Sequence, residues 1–133
     1  TPATFREIES IGLAYDGSKP AQAALALAVE LSRQAAWPLT AIIVADDTTR
    51  GAKLAGRIED LAEDEGIDAA TIVMPGKEDV EIMKFIQEGA VELMIMGAYG
   101  HNRFRELLLG STTSSIIRRS PIPVLLTRGV VRA

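Results

Sequence analysis

Short unbroken apolar runs alternate along this chain with longer stretches whose apolar residues recur every three or four positions. The first run, SIGLAY at residues 10–15, ends in DGSKP, a cluster of turn and cap residues, and predicts a buried strand followed by a turn. AQAALALAVELSRQ, residues 21–34, is rich in Ala and Leu and free of breakers, which predicts a helix. Ser18 stands where its cap is needed and Pro20 fits its first turn. PLTAIIVA at 38–45 is β-branched and nearly continuous in apolar character until DDTTRG ends it, a second buried strand. In AKLAGRIEDLAEDEG, residues 52–66, Leu54, Ile58 and Leu61 share one helical face with charges opposite, and Gly66 suits a C-terminal cap.

The alternation then repeats. DAATIVM at 68–74 predicts a strand and PGK its turn, EDVEIMKFIQEG at 78–89 a helix, and AVELMIMG at 90–97 a fourth strand. STTSSIIRR at 111–119 reads as a helix, SPIP stops it, and VLLT at 124–127 is the final strand. Five strands thus alternate with four helices. Because the strand runs are continuous rather than alternating in polarity, helices are expected on both faces of a parallel sheet, with right-handed crossovers. The fold class is α/β, an open five-stranded parallel sheet.

Composition narrows the function. A chain of 133 residues suits one domain around one core, here residues 1–133, whether it stands alone or belongs to a tandem protein. Hydrophobic residues make up 47% and aromatics only 5%, so the core is expected to be aliphatic. A net charge of -4 offers no general attraction to nucleic acid or to an anionic membrane. The absence of cysteine excludes disulfides, thiolate catalysis and Cys-ligated metal. No apolar run approaches the ~18 residues a membrane span needs, and TPATFREIES lacks the basic-then-apolar pattern of a secretory signal. A cytoplasmic location without a membrane partner is expected.

In an open parallel sheet, ligands sit beyond the carboxyl ends of the strands, where the chain order reverses. The residues leaving the strands are therefore the candidates: Asp16, Gly17 and Ser18 after the first, Asp46 and Asp47 after the second, and Gly97 onward after the fourth. GAYGHNRFRELLLGST, residues 97–112, places glycines at 97, 100 and 110 and opens onto the last helix. Such a loop offers backbone N–H groups and the positive end of a helix dipole to an anion, and so suits phosphate. Its spacing matches neither GxxxxGK[ST] nor GxGxxG, and no lysine stands in it to reach a β- or γ-phosphate.

The spacing Gly97-x-x-Gly100, nine residues, then Gly110-Ser111 resembles the universal stress protein family, whose nucleotide-binding members carry G-x-x-G, nine residues, then G-[ST]. The likeness spans nearly the whole chain: GLAYDGSKPAQAALALAVELS resembles that family's first strand, aspartate and first helix, and LLLGSTTSSIIRRSPIPVLLTR its closing helix and strand. The resemblance implies strand order 3-2-1-4-5, the adenine nucleotide alpha-hydrolase-like arrangement. It implies that Gly97 and Gly100 let the loop approach the phosphates, and that Gly110, Ser111 and Thr112 receive phosphate oxygens. Asp16 would lie near the ribose or a phosphate-bound Mg²⁺, and the backbone around Ala14, Tyr15 and Val44 would hold the adenine of ATP, ADP or AMP. Ser18 and Met96, flanking the two strand ends, and His101 and Arg103, within reach of a phosphate, complete the implied set. The filling HNRFR and Tyr15 depart from the family pattern and could narrow the pocket. In this strand order the final strand is an edge, and the resemblance implies antiparallel pairing there, through Val124, Leu125 and Leu126, in a homodimer or with a tandem domain. Pro121 and Pro123 would block ladder donation at its start.

Each residue also has a plainer reading. Gly97 and Gly100 could shape a turn, Ser111 could cap a helix, and Asp16 could be the turn residue of DGS. His101, the only histidine, reads as a solvated loop residue, and Asp46 and Asp47 as a solvated strand end. Met74, Met83, Met94 and Met96 read as core filler, and Arg118 and Arg119 as charges favoured at a helix C-terminus. At the level of function, a nucleotide-binding stress-response module leads. A slow ATP-hydrolysing enzyme and an interaction module with an empty pocket are the alternatives. A phosphoacceptor receiver is excluded, because YDGS, MPGK and TRGV lack its acidic pair, aspartate and lysine.

Overall fold

The computed structural model describes residues 8–98 and 111–128. Its elements run β1 (Ile11–Ala14), α1 (Lys19–Ala35), β2 (Leu39–Val44), α2 (Thr48–Glu65), β3 (Ala69–Met74), α3 (Glu78–Gln87), β4 (Leu93–Gly97), α4 (Ser111–Arg119) and β5 (Val124–Thr127). All strand pairs are parallel and the sheet order is β3-β2-β1-β4-β5. The expected fold and strand order hold. Among the described residues, no helix is long and apolar enough to cross a membrane.

Successive side chains of a strand face opposite sides of the sheet. Ile11, Leu13, Leu39, Ala41 and Ile43 therefore meet α1 and α2, through Ala24, Leu25, Ala28, Ala55 and Ile58. Ala14, Ile42, Met94 and Met96 meet α3 and α4 on the other side, through Ile82, Phe85, Ile86 and Ile116. Full burial of a side chain such as Ile42 or Ile95 contributes about 1.5–3 kcal/mol, so the two layers hold the sheet from both faces.

The helix ends follow from local chemistry. Ser18 caps α1, accepting the Ala21 N–H at 3.2 Å, and Pro20 lies in the first turn as expected. Gly66 closes α2 and returns its N–H to the carbonyls of Ala62 and Glu63. The C-cap of α1 is instead Ala36, held left-handed at φ 60°.

One expectation needs correction. Continuous apolar runs imply strands covered on both faces, yet in β3 Ile72 is 37% and Val73 40% exposed. The cause is position: β3 is an edge, and α3 lies over β2, leaving a groove lined by Ile42, Ile72, Met74 and Phe85.

Candidate functional site

A helix that joins two parallel strands begins at the carboxyl edge of the sheet, so the loops after β1, β2, β3 and β4 and the starts of all four helices converge there. β1 and β4, whose strand order reverses the chain direction of travel, are direct neighbours with Ala14 opposite Met96. The loop after β1 is tightly built. Asp16 Oδ1 accepts the Ser18 N–H at 2.9 Å, an Asx turn that needs the positive φ of Gly17, 82°. The Arg50 guanidinium, reaching over from α2, donates to the Asp16 carbonyl at 2.8 Å. Oδ2 of Asp16 has no hydrogen-bond partner among the described residues.

The end of β4 is locked to α1. A Cβ on Gly97 would stand 2.6 Å from the Pro20 carbonyl carbon and 2.8 Å from the Ala21 nitrogen, so this glycine is required by helix packing. Thr127 donates its hydroxyl to the Pro20 carbonyl at 2.9 Å, and the Ala98 N–H reaches the Thr127 carbonyl at 2.8 Å. On the far side α4 starts at Ser111, which is exposed, with Thr112 partly buried and Ile116 anchoring the helix in the core. Gly100, His101, Arg103 and Gly110 lie outside the described residues.

The remaining sequence candidates separate by face. Ala14, Met96 and the partly buried Val44 belong to the α3 and α4 side, Met96 with no exposed surface. Tyr15 goes the other way, 2% exposed in the cluster of α1 and α2. Strand alternation puts it with Ile11 and Leu13, so its ring does not narrow the edge as the sequence suggested. Its N–H is taken by the Ile42 carbonyl at 3.1 Å. Burial pushes the Tyr15 hydroxyl above its ordinary pKa, opposed by Arg57 and reinforced by Asp16, and among the described residues that hydroxyl has no hydrogen-bond partner. Ser18 directs its own hydroxyl into the helix cap.

Asp46 and Asp47 are more than a solvated strand end. Asp47 caps α2 by accepting the Thr49 and Arg50 N–H groups at 2.9 and 3.2 Å. Asp46 accepts the Gly76 N–H at 3.0 Å and so clips the loop after β3 to the end of β2. That clip brings in a residue the sequence did not flag. Glu78, partly buried in the first turn of α3, has its carboxyl pushed above the ordinary 4.5, first by burial and then by Asp16, with Arg50 opposing and Asp79 adding to the rise. No hydrogen bond among the described residues satisfies it. In sequence it reads as one of three acids in a first turn, and only its partial burial near the charges of Asp16 and Arg50 sets it apart.

Comparison with known proteins decides the family. The universal stress protein family model matches residues 50–128. The chain belongs to the universal stress protein family. A universal stress protein of Synechocystis is 33% identical over 130 residues, 96% of this chain and 45% of that protein. One from Methanocaldococcus jannaschii is 36% identical over 66 residues, 50% of this chain and 41% of that protein, so the chain spans about half the length of the curated relatives it matches first. The crystal structure of a universal stress protein from Archaeoglobus fulgidus, 30% identical, superposes with a TM-score of 0.78 over 90% of this chain and 44% of its own. Family members of the same fold at 19%, 18% and 11% identity, with TM-scores of 0.78, 0.72 and 0.73, have been solved with cAMP, dAMP and AMP respectively.

Proposed function

We propose that this chain binds an adenine nucleotide across the carboxyl edge of β1 and β4, and acts as a cytoplasmic regulatory module in the stress response through its occupancy and its pairing with a second domain. The observation that carries this reading is that Ser111 and Thr112 open α4 at the same sheet edge as Asp16, with β1 and β4 side by side. A phosphate at the start of α4 meets backbone N–H groups and the positive end of the dipole. Gly110, Gly100, His101 and Arg103 complete the phosphate side. The second carboxylate oxygen of Asp16, without a partner among the described residues, serves the ribose or a Mg²⁺ ion.

Mg²⁺ is held by one or two carboxylates together with substrate phosphates, a role that Asp16 can fill at this edge. Among the described residues no group of three His, Asp or Glu side chains gathers into a metal cage. Bound Mg²⁺ would supply charge neutralisation between the phosphates, and the chain's own part is to orient the nucleotide. The family complexes with cAMP, dAMP and AMP support the choice of an adenine base. Because the Tyr15 N–H is already engaged, the backbone of Ala14, Tyr15 and Val44 would meet the base mainly through its carbonyls and apolar surface.

The test is mass spectrometry of nucleotide released from the purified, denatured protein. ATP, ADP or AMP at near-stoichiometric amount is expected. Its absence, together with no thermal stabilisation by added ATP and Mg²⁺, rejects the reading.

A further inference from the structure

Phosphates at the start of α4 fix one end of the nucleotide beside β4, on the α3 and α4 side of the sheet. Neighbouring strands lie about 4.8 Å apart, so two strand spacings carry the far end of the ligand about 10 Å, across β1 to the end of β2. What stands there on that same side is the first turn of α3, clipped to β2 through the Asp46 contact with Gly76 at 3.0 Å. Glu78 belongs to that turn. It is partly buried, it is near enough to Asp16 and Arg50 to feel both charges, and among the described residues its carboxyl has no hydrogen-bond donor. A partly buried acceptor without a donor, at the base end of a nucleotide cleft, is suited to a ligand N–H.

We infer that Glu78 reads the nucleobase, accepting a hydrogen bond from the exocyclic amine of adenine and so selecting amino-purine over oxo-purine nucleotides. This rests on the nucleotide reading above and adds to it a specificity residue. The chemistry is one-sided: adenine carries an amine at C6, whereas hypoxanthine carries a carbonyl oxygen there and opposes the carboxylate with a second acceptor. Asp46 is committed to the Gly76 N–H, Asp47 to the α2 cap and, in the reading above, Asp16 to the ribose or Mg²⁺, while Glu78 is the carboxylate of the first turn of α3 that feels Asp16 and Arg50.

The experiment is calorimetric titration of the whole chain with AMP and with IMP, for wild type, Glu78→Gln and Glu78→Ala, with unfolding curves of each protein alone to establish that the variants fold. Wild type is expected to prefer AMP by roughly tenfold to a hundredfold, the range for a hydrogen bond to a charged group. Glutamine can turn its amide to either base and alanine offers nothing, so both variants are expected to bring the two affinities close to parity. Equal affinities in wild type overturn the inference. So does a preference that survives in folded variants, and in that case the nucleotide reading stands. Failure of both nucleotides to bind wild type removes the inference and the nucleotide reading together.

Discussion

Thr127 donates its hydroxyl to the Pro20 carbonyl at 2.9 Å, tying the last residue of β5 to the first turn of α1 across 107 positions of sequence. Pro20 lies within α1, so its carbonyl takes the Thr127 hydroxyl in addition to the helix's own i→i−4 bond. Thr127→Val keeps the shape and the β-branching while removing the donor. It is expected to lower stability by about 0.5–1.5 kcal/mol, the range for the loss of one hydrogen bond, as read from urea unfolding. No change would mean that the bond to the helix start adds nothing to the hold of β5 on α1.

The same corner makes Gly97 irreplaceable. An added Cβ would meet the Pro20 and Ala21 backbone at 2.6 to 2.8 Å, and backbone cannot swing aside as a side-chain tip can. Gly97→Ala is expected to destabilise by about 1–3 kcal/mol through forced displacement of α1. The measurement is the melting temperature without nucleotide, which separates packing loss from any change in ligand binding. A variant as stable as wild type would show that the corner yields easily.

How much of this could be read from the chain is clear at particular residues. α1 was legible because Ala and Leu run unbroken behind Ser18, and β4 because VELMIMG has nothing to interrupt it. The neighbours of each strand were not legible from periodicity, since hydrophobic pattern says which face is buried and not which strand lies alongside. The order came from resemblance. Ile72 and Val73 look like core in sequence and are exposed because β3 closes the sheet. Glu78 and Asp46 look solvated; Asp46 acquires its role from a contact between loops distant in the chain, and Glu78 from partial burial near Asp16 and Arg50.

Ala36 supplies a prediction in the opposite direction. It ends α1 in the left-handed region at φ 60°, where a Cβ crowds the following carbonyl at a cost of roughly 1–2 kcal/mol. Glycine relieves that strain and gives back part of the gain through its greater freedom when unfolded. Ala36→Gly is therefore expected to stabilise by about 0.5–1 kcal/mol, seen as a higher denaturant midpoint at an unchanged slope. A lower midpoint would contradict the strained cap.

Glu78 also gives stability a pH dependence. Its pKa is raised in the folded chain, so its contribution is fully present below the unfolded value near 4.5 and is lost as pH rises through the folded value. At neutral pH the charged, partly buried carboxylate opposes folding. Glu78→Gln, which carries no charge at any pH, is expected to melt higher than wild type at pH 7, with the difference shrinking as the solution is acidified below the ordinary glutamate value. A difference that stays constant across this window would show that the carboxylate is better solvated than its surroundings imply.

The final prediction concerns the edge beyond β5. β4 pairs with one side of that strand, Ile95 lying opposite Leu125 and Met96 opposite Leu126, and among the described residues the other side has no strand on it. Leu125 is 36% exposed, and an edge bearing unpaired N–H and C=O groups beside an exposed leucine tends to recruit another strand. The exposed Pro121 and Pro123 cannot donate, so antiparallel pairing is expected to centre on Val124, Leu125 and Leu126. β3 is the opposite edge and exposes Ile72 and Val73, which makes it the natural control. In analytical ultracentrifugation the chain is expected to sediment as a dimer, Leu125→Lys as a monomer, and Ile72→Lys as the dimer still. Loss of association in the β3 variant alone would move the interface to the other end of the sheet, and a wild type that stays monomeric at high concentration would reject self-pairing for this chain.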